Sequence, residues 1–271
     1  MLAETRRRIL LDQIARQGFA TLDELVKSLG VSESTVRRDL EALDLAGAVK
    51  RTHGGAIFTE SESRTMPAFD ERTSSATLEK RAIGQAAATL IDDGDTVLLD
   101  GGTTTLEVAR ALLGRPVQIV TNSLPIAQLA ASSKETDLIL IGGYVYPRTG
   151  VALGPLAIAM MQGIRVRKAI LGAGGIVAEG VYNSNLLLVE TERQMMACGQ
   201  ELMIVADHSK FGRLSLTFLC DLKAIGELVV DPGLAFEDRT MLEAAGVKVH
   251  LAPLPVDANG SSRLNGSRIE A

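Results

Sequence analysis

The sequence predicts an α/β protein in two unequal parts, an N-terminal winged helix-turn-helix and a larger, mostly parallel α/β domain. Three observations carry that expectation. Apolar residues recur at helical spacing early in the chain, punctuated by Gly18 and Gly30. From Asp95 onward, short runs rich in Val, Ile and Leu alternate with helical patterns. The 271 residues are 46% hydrophobic but only 3% aromatic, with 26 glycines, which suits an Ala/Leu/Ile/Val core with tight turns rather than a β-sandwich. That length accommodates a small domain plus a larger one.

In ETRRRILLDQIARQG, residues Ile9, Leu10, Ile14 and more weakly Ala15 mark a helix that Gly18 ends. A second helix lies in TLDELVKSLG. Thr21 is placed to cap it, Glu24 to close a capping box, and Gly30 to end it. Ser32 then caps a third helix, which offers Leu40, Leu43 and Leu45 to the core. The Leu29-Gly30-Val31 turn makes the pair a helix-turn-helix: Gly30 tolerates a left-handed backbone and Val31 plugs the core. In this arrangement the third helix enters the DNA major groove by its N-terminal turns. Those turns carry Ser32, Glu33, Ser34, Thr35, Arg37 and Arg38. Ser and Thr can meet phosphates or base edges, and Arg can fork onto guanine or clamp a phosphate. Gly47 ends the helix, and GAVKRTHGGAIF can pair as a β-wing that lays Lys50, Arg51 and His53 along the phosphate backbone or into the minor groove.

Bulk charge adds little to this. Nine Lys and Arg face eight Asp and Glu through Phe58, and the whole chain carries a net charge of -5. A globally basic nucleic-acid surface is excluded, but a local one is not. A winged protein-interaction domain is the rival reading. The order helix, helix, turn, helix, basic hairpin favours double-stranded DNA.

Residues 59–76 are polar, contain Pro67, and read as a linker between a head of residues 1–58 and a body of residues 77–256. The body opens with a helix containing Leu78, Ile83, Ala86, Ala87, Leu90 and Ile91. Strands follow in TVLLD, VQIVTNS, DLILIGG, KAILGAGG, ELMIVADHS and IGELVVD. Such a series builds a mostly parallel sheet whose ligands bind beyond the carboxyl ends of the strands.

Those ends are the chemically informative positions. In LLDGGTTTLEVA, Asp100 closes a buried strand, Gly101 and Gly102 let a ligand approach the backbone, and Thr103, Thr104 and Thr105 bring hydroxyls to a helix start. Free amides there favour an anion such as phosphate. The Lys-Ser/Thr end of a nucleotide-triphosphate loop and the GxGxxG of a dinucleotide fold are both missing, so no cofactor is expected. Thr121, Asn122 and Ser123 follow the next strand, Gly142 and Gly143 the third, and Gly174 lies in GAGG after a fourth. Asp207 and Lys210 follow a fifth; Lys210 can neutralise phosphate, while Asp100 and Asp207 can bind sugar hydroxyls or orient Lys210.

The string VSESTVRRDLEAL followed by RTHGGA, with Arg7, Ile9, Leu10, Leu25 and Gly47, resembles the signature of the DeoR family of repressors. The likeness runs from about Arg6 to Pro232. It implies a winged helix-turn-helix that binds operators upstream of sugar-catabolism genes. It also implies a sugar-phosphate-sensing domain resembling sugar-phosphate isomerases, matched here by LLDGGTTT, TNS, IGG, ADHSKFG and Glu190…Arg193-x-Met195. Phe69, Arg72, Glu79 and Lys80 are similar to the family's joint between domains, where an effector can reorient the DNA-binding heads. Glu192 departs from the pattern, standing where many members carry a basic residue. Tyr182, Asn183 and Asn185 lie in the stretch that shapes the sugar pocket and match no known inducer class.

The expected function is thus a DNA-binding transcriptional repressor released by a sugar phosphate. Paired heads reading paired half-sites imply a homo-oligomer. Two alternatives stay open: a sugar-phosphate isomerase with an appended helical domain, using Asp100, Glu179, Glu190 or Asp207 as base, and a non-catalytic protein-interaction module. Cys198 and Cys220 read as buried thiols of a reducing compartment, and His53, His208 and His250 are too dispersed for a metal site. No apolar run reaches membrane-spanning length, so a soluble cytoplasmic protein is expected. Residues 257–271 read as a disordered tail.

Overall fold

A computed structural model describes residues 6–7, 9–10, 13–14, 19–45, 49–52, 54–58 and 69–254. Ala15, Gly18, Gly47, His53, most of the expected linker with Pro67, and the tail lie outside them.

In the head, residues 6–7, 9–10 and 13–14 are helical. Leu10 and Ile14, one turn apart, are fully buried, whereas Ile9 points off that face and is 40% exposed. Next come β1 (Phe19–Thr21), α1 (Leu22–Leu29), α2 (Glu33–Leu45), β2 (Val49–Thr52) and β3 (Gly55–Phe58). The capping box forms as expected: Thr21 Oγ1 accepts from Glu24 N at 3.3 Å, and the Glu24 carboxylate accepts from Thr21 N at 2.8 Å. Gly30 takes φ +63°, a left-handed cap that turns the chain from α1 into α2. Val36, Leu40 and Leu43 line one face of α2 and pack on Leu10, Ile14 and Leu25.

The wing is three-stranded, in the order β1-β3-β2. Sequence periodicity misses β1, because three residues wedged between two helices carry no pattern. β1 pairs antiparallel with β3 (Ala20↔Ala56), so closely that a Cβ on Gly55 would lie 2.1 Å from Ala20 O. Arg6 and Arg7 both donate to the buried carboxylate of Asp39, at 2.5 and 3.1 Å, fastening the first helix to α2.

The body contains α3 (Phe69–Ser74), α4 (Thr77–Ala88), β4 (Thr96–Leu99), α5 (Thr103–Leu112), β5 (Gln118–Thr121), α6 (Leu124–Ala130) and β6 (Asp137–Leu140). After these come β7 (Tyr144–Tyr146), β8 (Val151–Leu153), α7 (Pro155–Met161), β9 (Val166–Leu171), β10 (Gly175–Val177), β11 (Gly180–Asn183) and α8 (Leu186–Cys198). The chain continues through β12 (Gly199–Val205), β13 (Thr217–Cys220), β14 (Glu227–Val230), α9 (Phe236–Ala244) and β15 (Lys248–Leu251).

Seven strands form one wholly parallel sheet in the order β15-β14-β12-β9-β4-β5-β6. Both faces are buried along the inner strands, where alternation divides the core, while edge strands β6 and β15 are largely exposed. Val97, Leu99, Ile170, Met203 and Val205 pack with Ile83 and Val108. Leu98, Ala169, Leu171 and Ile204 pack on the other face with Val189 and Met195. The chain builds outward from β4 to β6 on one side, then returns through β9 on the other. The strand order therefore reverses between β4 and β9, where parallel sheets leave a crevice.

Two antiparallel additions were not expected from sequence: the β7–β8 hairpin and the small sheet β10-β11-β13. The second half of the expected linker is also structured. Phe69–Ser74 is helical, Phe69 packs against the body core, and Phe69 N donates to Arg148 O at 3.2 Å. Cys198 and Cys220 are both free and buried; burial first, then Asp221 and Glu192, pushes the Cys220 thiol up to about 12.

The Asp39 contact sets a pH dependence for the head. Burial raises its carboxyl, but the bonds from Arg6 and Arg7 prevail and hold it below the usual range. A lowered carboxyl contributes stability above about pH 4, and that contribution is lost as pH falls through the folded value. Asp39→Asn should cost the head about 2 kcal/mol at neutral pH, read by hydrogen exchange at α2 amides, and the gap from wild type should close on acidification. A gap independent of pH would refute this account.

Candidate functional site

The first candidate surface is the outer face of α2. Ser34, Arg37, Arg38 and Glu41 are exposed and follow i, i+3, i+4, i+7 spacing, opposite the buried Val36-Leu40-Leu43 stripe. At its N-terminus, Ser32 Oγ lies 3.0 Å from Ser34 Oγ and 2.8 Å from Thr35 Oγ1, and accepts from Thr35 N at 3.4 Å. Ser32 thus caps the helix as expected. Arg37 pairs with Glu33 at 2.6 Å, but both are more than half exposed, so the pair is weak and readily exchanged for a phosphate. Arg51 on the wing lies 3.7 Å from Glu41. His53 and the Lys50 side chain lie outside the described residues.

The second candidate is the crevice between β4 and β9, organised by Asp100. Its Oδ1 accepts from Gly102 N at 2.8 Å and from Thr105 Oγ1 at 2.7 Å, and its Oδ2 accepts from Gly172 N at 2.9 Å across the switch point. This buried carboxylate sets the loop by accepting three hydrogen bonds, two from the loop and helix start and one from the end of β9. Thr105 is likewise used, bonding also to Asp100 O and Gly102 O. Thr103 and Thr104 are buried, yet their hydroxyls make no hydrogen bond among the described residues. Gly102 caps α5 without a side-chain bond, so the first amides of this ten-residue helix face the crevice as free donors. Gly101 is required: a Cβ there would sit 1.8 Å from Val151 Cγ1.

Cations gather over this floor. Lys210 leaves the β12 loop on a short 3-10 turn capped by Asp207, whose carboxylate accepts from Ser209 N and Ser209 Oγ. Burial lowers the Lys210 ammonium; Asp207 opposes that, while Arg213 and Arg72 add to it. Buried Lys80 donates to Arg72 O at 2.5 Å and Ser75 O at 2.6 Å, closing the corner at Ala76, which sits at φ +49°. Burial lowers the Lys80 ammonium too, with Asp207, Lys210, Arg72 and Glu79 as its charged neighbours. Arg72 is pushed down by burial and pulled up by Asp100. Its Nε and Nη2 are buried without a hydrogen-bond partner.

Other buried groups near the crevice are also unsatisfied. Asn122 donates to Ala152 O at 2.9 Å, but its Oδ1 has no partner, nor has Thr149 Oγ1 on the neighbouring turn. Glu192 Oε1 accepts from Asn183 at 2.7 Å, whereas Oε2 has no partner. Burial first, and then nearby Asp100, raises Glu192 well above the usual carboxylate range.

Several expected site residues serve the frame instead. Thr121 Oγ1 donates to Leu99 O at 2.8 Å and accepts from Ser123 N, and Ser123 caps α6. Gly142 and Gly143 leave edge strand β6 and pack on Met160 and Ala157 of α7, away from the switch point. Gly174 lets β10 approach Asn183 of β11 and donates to Tyr182 O. Arg193 ties α8 to Phe218 O and Leu219 O. Conversely, Arg72 and Lys80 were read as a joint and lie at the crevice. The signal was available: one cation just ahead of a helix and one in its first turns, with that helix followed directly by the anion loop. Among the described residues, no group of three or more His, Cys, Asp or Glu is placed to hold a metal.

A winged helix-turn-helix head joined to a parallel α/β body defines a transcription regulator of the helix-turn-helix class. Residues 6–62 match the DeoR-like helix-turn-helix domain, and residues 75–232 match the DeoR C terminal sensor domain. The chain is 30% identical over 251 residues to the HTH-type transcriptional regulator UlaR of Escherichia coli O1:K1 / APEC, covering 92% of this chain and 99% of that one. UlaR of Shigella boydii serotype 18 matches equally. The chain belongs to the DeoR family of transcriptional regulators. Among solved structures, the ribose 5 phosphate isomerase A of Neisseria gonorrhoeae is similar, at 16% identity and a TM-score of 0.39, over 53% of this chain and 56% of that one. Likeness at that level fixes neither activity nor ligand. No helix among the described residues is long and apolar enough to cross a membrane.

The Asp100 network makes a direct prediction. Asp100→Ala strands three donors and should destabilise the body by about 3 kcal/mol. Gly101→Ala should cost about 1–3 kcal/mol through its clash with Val151. Urea denaturation followed in the body measures both, and a wild-type midpoint for either variant would remove Asp100 and Gly101 from the frame.

Proposed function

We propose that the protein is a repressor of carbohydrate-catabolism genes that leaves its operator when a phosphorylated sugar occupies the β4–β9 crevice. One observation carries this. Arg72, Lys80 and Lys210 converge with the free N-terminal amides of α5, while the two neighbouring carboxylates are already engaged by their own loops. Such a surplus of buried positive charge and spare donors suits a phosphate. Thr103, Thr104 and Asn122 are the residues we assign beside it, and the same engagement of Asp100 and Asp207 weighs against the isomerase reading. Glu179 and Glu190, the other candidate bases, are exposed.

In this reading Ser34, Arg37 and Arg38 meet the major groove, and a homo-oligomer presents paired heads to paired half-sites. Binding to duplexes from upstream of its own gene should weaken steeply with salt. Arg37→Ala or Arg38→Ala should cost about 1–3 kcal/mol, and each lost phosphate contact should lower the logarithmic salt slope by about 1. Lys210→Ala should bind the same duplex normally yet resist release. A panel of phosphorylated sugars, scored by loss of fluorescence anisotropy of the bound duplex, tests the effector. If no member releases wild-type protein, the sugar-phosphate assignment fails; a salt-independent affinity would sink groove docking instead.

A further inference from the structure

Residues 138–164 contain a single charged side chain, Arg148, although the chain as a whole is 23% charged. They run from edge strand β6 through the β7–β8 hairpin and α7. Burial does not account for the depletion. Ile139, Leu140, Tyr144, Val145, Leu156 and Met160 are all exposed, Leu156 by 71%. Much of this surface is continuous. Ile139 shares a face of β6 with Ile141, which packs with Ala157 and Met161 of α7. Gly142 N, just past β6, donates to Met160 Sδ at 3.2 Å, and Leu156 lies one turn from Met160 on the outer side of the helix. An exposed apolar surface that lacks charge and carries Tyr and Met has the composition of an interface centre.

The backbone at this edge is open as well. β6 ends the sheet and pairs there with β5. Asp137 N and Ile141 N donate inward, to Val117 O and Thr121 O. By the alternation of a strand, Leu138 and Leu140 turn their N–H and C=O groups outward. The opposite edge strand, β15, is guarded by Lys248 and His250. The run Leu138-Ile139-Leu140-Ile141 has no charge, proline or glycine to guard it.

These outward groups match a second copy of themselves. Antiparallel pairing of β6 with β6 about a two-fold axis at Ile139 sets Leu138 opposite Leu140 of the second copy, and the reverse. Both outward residues of each strand then exchange both of their hydrogen bonds. Ile139 meets its own counterpart at the close, non-hydrogen-bonded position. The two Asp137 carboxylates end roughly 14 Å apart along the ladder, beyond the screening length of ~8 Å at physiological salt. We propose that the β6 edge, with the adjoining outer face of α7, is the docking surface for a second copy of this chain, joined strand to strand into one sheet that crosses both molecules. This rests on the paired-head reading for the identity of the partner.

The test uses the full chain, with sedimentation, oxidative cross-linking and hydrogen exchange as readouts. Wild type should sediment as an oligomer and protect Leu138 N and Leu140 N. Ile139→Cys should cross-link to its counterpart on mild oxidation, because facing Cα atoms in that position are about 4.5 Å apart. Leu140→Cys faces Leu138 instead and should cross-link at least tenfold more slowly; the native Cys198 and Cys220 are buried and do not compete. Ile139→Lys places like charges on the axis and should raise the dissociation constant about 100-fold, with loss of protection at both leucine amides. Leu156→Glu, at a position too exposed to be needed for folding, should raise it about tenfold. Leu251→Lys on the β15 edge should leave assembly unchanged. An oligomer that survives Ile139→Lys, and in which Ile139→Cys forms no cross-link, would overturn this inference and leave the paired heads standing on another surface. Wild type that sediments as a monomer, both free and bound to the duplex from upstream of its own gene, would overturn the paired-head reading and this inference with it.

Discussion

The body depends on one carboxylate. Asp100 stands at the end of β4, where the order of the sheet reverses, and it accepts from both sides of that reversal. Through Gly102 and Thr105 it sets the loop that begins α5, and through Gly172 it binds the end of β9. Parallel strands diverge at their carboxyl ends, and a helix start leaves its first amides unpaired. Asp100 fixes both features at a defined separation. The crevice is therefore built from backbone amides, with small residues such as Gly101 admitted because Val151 leaves no room for a Cβ.

Head and body treat buried charge in opposite ways. In the head, Asp39 is buried between two arginines, and the contact closes: both cations find the carboxylate, and helix is joined to helix. In the body, Arg72 is buried beside two lysines, and the nearest carboxylate is already committed. A closed pair gives rigidity. An open one leaves desolvation uncompensated, which evolution tolerates where something else completes the contact. Asn122 Oδ1, Thr149 Oγ1 and Glu192 Oε2 are unsatisfied in the body as well, and so is His250 Nε2 on edge strand β15.

Much of this was legible in the sequence. The Thr21–Glu24 box and the Gly30 turn obey local rules that need no tertiary partner, and the continuous apolar run Val97-Leu98-Leu99 declares a strand buried on both faces. The β4 loop was also readable, because its glycines and threonines have few other uses at a strand-to-helix turn. What escaped depends on distant partners. β1 has only three residues and is defined by β3. Gly142 and Gly143 follow a strand, like Gly101, but that strand proved to be an edge, and strand order is not written locally. Asp100 and Asp207 looked like ligands because sequence shows a carboxylate and not its hydrogen bonds. Arg72 lay in a stretch whose polarity suggested a linker, and only the packing of Phe69 brings it over the crevice.

The electrostatics also divide the crevice. Arg72 and Lys210 lie on the side of the α5 amides, and their ammonium and guanidinium groups favour an anion there. Glu192 is another buried neighbour of Asp100, and burial first, then that carboxylate, raises its carboxyl well above the usual range. Asn183 donates to Oε1, and Oε2 is left without a hydrogen-bond partner. An ionised carboxylate there would repel a phosphate at short range through a low dielectric; a protonated one does not. In the proposed reading, a phosphorylated sugar meets the charges of Arg72 and Lys210 together with the hydrogen-bonding groups of Glu192 and Asn183.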